Sequence, residues 1–323
     1  MTVLVTGGAG YIGSHTVRQL IAQNRDVVVL DSLEYGDKSR LADVPLVVAD
    51  IADRRAIEKT CRKYDVTEVV HFAAYKAVGE SMEQPLRYYS NNVANSIAMV
   101  RTLLANGVDR IVFSSSAGVY GNPDKTPIAE DAALRPESVY AETKAIVEKF
   151  LFSCQPIGMR SVSLRYFNAA GASSDASIGE DWSMSQNLIP LVMKAVLGFS
   201  GNLSVYGNDY PTKDGTCVRD YIHVEDLALA HVKALDYLAN GGASMACNVG
   251  TGNGNSVLDV IAMTEQVSGR KVPHTIVGRR AGDPAVSYAD ATLIRSVLGW
   301  RATHDLQSII TSAWNWHSKV NTR

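Results

Sequence analysis

Residues 3–15 read VLVTGGAGYIGSH: an apolar run, a cluster of glycines, and the start of an amphipathic stretch. Gly8, Gly10 and Gly13 form G-x-G-x-x-G, and counted from Gly7 the spacing is also G-x-x-G-x-x-G. A lone glycine motif is weak. This one follows a predicted strand and opens a predicted helix, the context its mechanism needs. Glycines let the main chain approach a pyrophosphate, and the free N–H groups of the helix start stabilise the anion.

Working outward, the segments TVLVTG, DVVVLD, LVVAD, EVVHFA, RIVFSSS and SVSLRY read as buried strands. Between them lie helical patterns over residues 14–23, 54–63, 92–106 and 138–153. The alternation predicts βαβ units and a Rossmann-type, doubly wound parallel sheet, an α/β fold. Ligands of such sheets sit at the carboxyl ends of the strands. After about Ala170 the rhythm changes to a polar loop, GASSDASIGEDWSMS at 171–185, then to mixed short strands and helices. The expected organisation is a cofactor domain over residues 1–169 and a smaller α/β substrate domain over 170–323, with some segments crossing and a cleft at the junction.

Asp31 ends the second strand roughly 20 residues after the glycines, where a carboxylate can hold ribose hydroxyls. The next residue is Ser32 rather than Arg, so a 2′-phosphate would be repelled. NAD is the expected cofactor. Asp50, after LVVA, is a candidate for the adenine edge and equally a helix cap.

The bulk properties narrow the partners. A net charge of −2 without a long basic run argues against nucleic acid. No apolar run approaches the roughly 20 residues of a membrane span. The chain starts directly with a strand-like run, which leaves no room for a signal peptide. Four scattered cysteines without C-x-x-C fit a reduced cytoplasmic protein and offer no metal site.

Chemistry enters with RIVFSSSAGVYG and SVYAETK. The first ends a central strand at Ser116. The second places Tyr140 and Lys144 at i and i+4, on one helical face. A phenol with a pKa of about 10 is only about 0.1% ionised at pH 7. An ammonium about 4 Å away contributes about 4 kcal/mol at an effective dielectric near 20, enough to bring the phenol towards neutrality. Tyr140 is then a candidate general base. Ser116 can hold the same substrate hydroxyl.

This set resembles the extended short-chain dehydrogenase/reductases. Longer stretches resemble the UDP-glucose 4-epimerase family within them: FAAYKAVGES, NNV, FSSSAGVYG, LRYFNAAGA, NLIP, GNDYPTKDGTCVRDYIHVEDLA, NVGTGNGNSVLDV and RRAGDPA. The resemblance runs from Met1 to at least Trp316. It implies that Tyr140 takes the proton of the sugar 4-hydroxyl while NAD takes the C4 hydride. The 4-keto sugar then turns and receives the hydride on its other face. It assigns NAD contacts to Gly7, Gly10, Tyr11, Ile12, Gly13, Asp31, Ser32, Asp50, Ile51, Phe72, Lys76, Asn92, Lys144 and Phe167. UDP-sugar contacts fall on Asn168, Asn187, Leu188, Val205, Tyr206, Arg219, Arg280 and Asp283. Ser287, four residues after Asp283, falls where a bulky residue would crowd an N-acetyl group. The resemblance thus implies activity on UDP-N-acetylglucosamine and UDP-N-acetylgalactosamine as well.

It also implies a homodimer in which the helices over 92–106 and 138–153 form a four-helix bundle with their copies. Apolar residues such as Ile97, Met99, Val100, Leu103 and Leu104, and Val139, Ile146, Val147, Phe150 and Leu151, exceed what one core face needs. The stretch after Asp31 is shorter than in many relatives, so adenosine contacts from Tyr35 and Gly36 are not carried over. A 4,6-dehydratase needs an acid and a base just after the strand-end hydroxyl, where Ala117 and Gly118 stand. UDP-pentoses such as UDP-xylose are an alternative substrate class. A non-catalytic NAD-sensing regulator could dispense with the tyrosine that this chain retains.

Overall fold

The computed structural model describes residues 2–280 and 282–321, without the side chain of Met184. The first elements are β1 (Thr2–Thr6), α1 (Tyr11–Ala22), β2 (Asp26–Asp31), β3 (Leu46–Val48), α2 (Arg54–Tyr64), β4 (Val66–His71), α3 (Val78–Glu83) and α4 (Pro85–Tyr88). There follow α5 (Ser96–Ala105), β5 (Arg110–Ser114), α6 (Val139–Ser153), β6 (Arg160–Tyr166), β7 (Asn168–Ala170), α7 (Leu188–Val196), β8 (Leu203–Tyr206) and β9 (Val218–His223). The chain ends with α8 (Val224–Ala239), β10 (Met245–Val249), β11 (Gly254–Ser256), α9 (Val257–Ser268), β12 (His274–Val277), β13 (Val286–Ser287), α10 (Thr292–Leu298) and α11 (Leu306–Val320).

Seven strands form one parallel sheet in the order β10-β6-β5-β4-β1-β2-β3. Strands buried on both faces read as unbroken apolar runs. Val3 and Val5 join one layer with Leu20, Leu227 and Leu235. Leu4 joins the opposite layer with Ile57, Met99 and Leu103. The chain runs outward from β1 to β3, returns to β4 beside β1, and runs outward the other way. That reversal opens a crevice at the carboxyl ends of β1 and β4, where ligands of such sheets bind.

The seventh strand, β10, comes from far beyond residue 169, and α8 just before it supplies Leu227 and Leu235 to the β1 layer. The chain therefore re-enters the first unit after the second has begun. The second unit holds the sheet β11-β9-β13 with β7 beside β9, and the pair β12-β8. Its core joins Ile189, Val192, Val205, Val260 and Ile309.

Two helix starts differ from the periodicity. Helix α1 begins at Tyr11 rather than Ser14, because Gly10 is its N-cap and half the glycine motif lies in its first turn. The stretch expected as helix from Asn92 begins as a π-helix over Tyr89–Asn95. Such wide turns gather at functional sites. Here Asn92 is buried and clasps Tyr75, accepting from its N–H at 2.9 Å and donating to its carbonyl at 3.0 Å. Of the apolar residues counted as surplus on α5 and α6, Met99, Val100, Leu103, Val147 and Leu151 are buried in the monomer core. Ile97 is exposed, and Leu104, Val139, Ile146 and Phe150 are half-buried. No described helix is long and apolar enough to cross a membrane.

Candidate functional site

A cavity of about 490 Å³ opens at the crevice. Its walls include Gly7, Gly10, Tyr11, Ile12, Gly13, Asp31, Ser32, Asp50, Ile51, Phe72, Lys76 and Lys144, together with Tyr140. The glycines are there for space. Gly7 has φ +72°, and a Cβ on it would lie 2.6 Å from Ala73 N. A Cβ on Gly13 would lie 2.3 Å from Gly7 O. A Cβ on Gly10 meets only Gly7 O, at 3.2 Å, and would otherwise stand in the open cavity. No side chain caps α1, so its first N–H groups are left for a ligand. This cradle fits the pyrophosphate of NAD.

At the other end of the cavity the Asp31 carboxylate accepts from Ala9 N and Leu33 N, both at 2.9 Å. These bonds hold it at the rim. Tyr35 and Gly36 also line the cavity. A Cβ on Gly36 would come within 2.7 Å of Asp31 Oδ1, so the shortened loop packs tightly on the carboxylate. Asp50 lines the wall and also accepts from Ala52 N at 2.7 Å.

Asn92 and Phe167 do not line the cavity. Asn92 stands one layer behind, holding Tyr75. Phe167 packs on the Val119, Tyr120 and Ile128 cluster. Tyr166, Glu180 and Arg40 line the cavity without having been anticipated. Tyr166 ends a central strand, a signal the strand-end rule contained. Glu180 sits in an irregular polar loop and Arg40 in the short 3-10 turn Lys38–Leu41, and neither stretch carries an apolar periodicity.

Ser138 caps α6 by accepting from Ala141 N, and the helix presents Tyr140 and Lys144 to the cavity. Lys144 is buried and donates to the Ser114 carbonyl at 2.7 Å. Burial pushes its ammonium down to about 7, against the pull of Glu148 one turn on. Glu148 is itself held by Arg165 at 2.7 Å and by the Ser115 hydroxyl. Burial pushes the Tyr140 phenol up, with Tyr166 adding to the rise, while the Ser116 hydroxyl works against it. The expected drop in the phenol's pKa is therefore not a property of the chain alone. The lysine that was to supply the charge is itself desolvated. Ser116 caps the short 3-10 turn Ala117–Tyr120 by accepting from Gly118 N.

The expected sugar-nucleotide residues lie on the second unit's elements and outside this cavity's wall. Arg219 on β9 reaches Asp283 at 3.6 Å. Ser287 on β13 is paired in register with Arg219. The adjacent arginines separate. Arg279 is bound to Asp209 at 2.7 Å and stacks on Tyr210. Arg280 stacks on Tyr206, 4.4 Å from its ring centroid, and joins no ion pair among the described residues. Asn168 donates to the Asp220 carbonyl at 3.0 Å. Asn187 and Leu188 start α7. Val205 buries its side chain in the core, and its main chain pairs with Ile276 in the β8–β12 ladder.

Residues 3–250 match the NAD dependent epimerase/dehydratase family. A UDP-glucose 4-epimerase of Halalkalibacterium halodurans is 44% identical, over 99% of this chain and 96% of its own. The structure of a UDP-glucose-4-epimerase from Stenotrophomonas maltophila, with bound NAD and formylated UDP-arabinopyranose, superimposes with a TM-score of 0.96. It is 44% identical, over 99% of this chain and 98% of that one. The UDP-Glc/GlcNAc 4-epimerase of Campylobacter jejuni follows at 0.87 and 38% identity, over 98% and 99% of the two chains. The likeness spans both units from end to end, and the chain belongs to the NAD dependent epimerase/dehydratase family and, within it, to the UDP-glucose 4-epimerases.

Proposed function

We propose that the protein interconverts UDP-glucose and UDP-galactose by inverting C4, with Tyr140 as the base. One observation carries this reading. Tyr140 and Lys144 open into the same cavity as the glycine loop and Asp31, so proton transfer and the dinucleotide share one space. NAD, when bound, supplies a reversible hydride acceptor for the sugar C4, so that the sugar passes through a 4-keto form with no net redox. The glycine loop and the start of α1 hold its pyrophosphate, and Asp31 its adenosine ribose.

Tyr140 Oη takes the proton from the sugar O4 and later returns it. Ser116 holds O4 beside the phenol. Lys144 is kept in place by the Ser114 carbonyl and lends its charge when a negative phenolate forms. Arg219 and Arg280 grip the diphosphate, since guanidinium groups bind it in bidentate fashion. Asp283 steadies Arg219. Asn168, Asn187, Leu188, Val205 and Tyr206 complete the sugar-nucleotide site. Ser287 leaves room for an N-acetyl group, so the acetylated UDP-hexoses are substrates too.

Two copies assemble through α5 and α6 into a four-helix bundle. The exposed Ile97 and Phe152 on these helices support this, and light scattering showing only a monomer at micromolar concentration would contradict it. All four cysteines are free and buried, which suits a reducing cytoplasm. The deciding experiment is incubation of the purified protein with UDP-galactose and analysis of the products. UDP-glucose should accumulate with no net consumption of NAD. No product with NAD bound would overturn the reading.

A further inference from the structure

The loop before α7 carries a carboxylate that joins the two halves of the site. Glu180 is buried, with a side chain only 5% exposed, and it lines the cofactor cavity. A single oxygen, Oε1, lies 3.6 Å from Lys76 Nζ and accepts from Asn187 Nδ2 at 3.0 Å. Lys76 stands on the cofactor side and Asn187 on the sugar-nucleotide side. Glu180 itself is pinned from behind. Its carbonyl accepts from Trp316 Nε1 at 3.1 Å, and the Trp316 ring lies where a Cβ on Gly179 would be.

Asn187 gives a second, independent sign. It occupies the N-cap of α7, where asparagine normally bonds back to the helix N–H groups. Its side chain makes no cap bond here and is turned to Glu180 instead. The amide has been taken from the helix start and tied to a carboxylate seven residues back in the loop.

We propose that Glu180 is a positioning residue that couples cofactor occupancy to sugar-nucleotide binding. The inference rests on the proposed function, which assigns Asn187 to the UDP-sugar and the cavity lined by Lys76 to NAD. Lys76 is the loose link, its side chain 61% exposed. A cofactor contact that orders its ammonium orders Glu180, and through the shared oxygen it orders the Asn187 amide. NAD thereby removes part of the ordering cost of the second ligand, which makes binding cooperative. By linkage, UDP-sugar holds NAD more tightly to the same degree.

The test is calorimetric titration of UDP into NAD-free and NAD-loaded protein, reading the ratio of the two Kd values. Wild type should bind UDP at least about fivefold more tightly with NAD present. Glu180→Gln keeps an acceptor for Asn187 but loses the charge facing Lys76, and should bring the ratio below about twofold while each ligand still binds. A wild-type ratio near one, or an undiminished ratio in Glu180→Gln, overturns the proposal. Should that variant not fold, Asn187→Ser provides the same test, because serine caps the helix and cannot reach Glu180. An undiminished ratio there overturns it equally. Protein that binds neither NAD nor UDP refutes the proposed function. Protein that epimerises with no coupling refutes only this inference.

Discussion

Lys144 Nζ lies 5.8 Å from the centroid of the Tyr140 ring and donates its shortest bond to the Ser114 carbonyl rather than to the phenol. The helix spacing brings the two side chains to one cavity. Burial then raises the phenol's pKa and lowers the lysine's. In the NAD-free protein the pair rests with the tyrosine protonated, and to act as the proposed base the phenol would need further positive charge, which the nicotinamide ring of NAD would supply.

Tyr140→Phe should keep NAD binding, since the glycine cradle and Asp31 are untouched. Its turnover should fall about a hundred- to ten-thousandfold, the usual worth of a positioned general base. Cofactor titration beside steady-state kinetics checks both halves. Near wild-type turnover would remove Tyr140 from the mechanism.

The stability of the NAD-free protein should carry the signature of Lys144. Its ammonium titrates at about 7 when folded, against an ordinary value of 10.5. Between these values the unfolded chain binds the extra proton, so stability rises with pH across the window. Below about pH 7 the burial cost is complete and constant. Lys144→Met should therefore stabilise the NAD-free fold at pH 7 by on the order of 2 kcal/mol, with the gain shrinking towards pH 10. Urea unfolding at a series of pH values measures it. A gain that stays level across the window would mean the lysine keeps its proton in the fold.

Arg219, assigned to the diphosphate, and Arg279, which is not, should behave differently. Arg219 is steadied by Asp283 across 3.6 Å, whereas Arg279 is committed to Asp209 at 2.7 Å on an exposed edge. Arg219→Ala should weaken UDP binding by about 1.5–3 kcal/mol, roughly ten- to a hundredfold, the worth of a charged hydrogen bond. Arg279→Ala removes an exposed pair with Asp209 and a stack on Tyr210, and should cost UDP binding no more than about threefold. Equal losses in UDP titrations would refute this division of labour.

Ser287 stands in register with Arg219 on the neighbouring strand. The Tyr288 ring lies against Gly254, 3.5 Å from where its Cβ would be. Wild type should turn over the N-acetylated UDP-hexoses. Ser287→Tyr should lose that activity and keep the plain sugars, as read from kcat/KM for both pairs. Equal loss of both would mean damage to the site rather than a narrower gate.

Local patterns wrote much of this protein into the chain. The glycine spacing after an apolar run, the alternation of short strands and helices, Asp31 at a strand end, and Tyr140 with Lys144 one turn apart depend on neighbours within a few residues. Steric space, hydrogen bonding and helical period act at that range, so these features were legible without the fold. Tertiary structure alone decided the features that join distant residues. β10 completes the first sheet from residue 245 onward, because the edge beside β6 offers a buried apolar strand its partner. Arg279 and Arg280, identical in the sequence, part company because Asp209 and Tyr206 meet them from another strand and loop. Glu180 meets Lys76 and Asn187 only once the loop is folded under Trp316. The sign of the Tyr140 shift also belongs to the fold. Charge spacing along a helix can be counted, whereas desolvation depends on everything that closes over the pair.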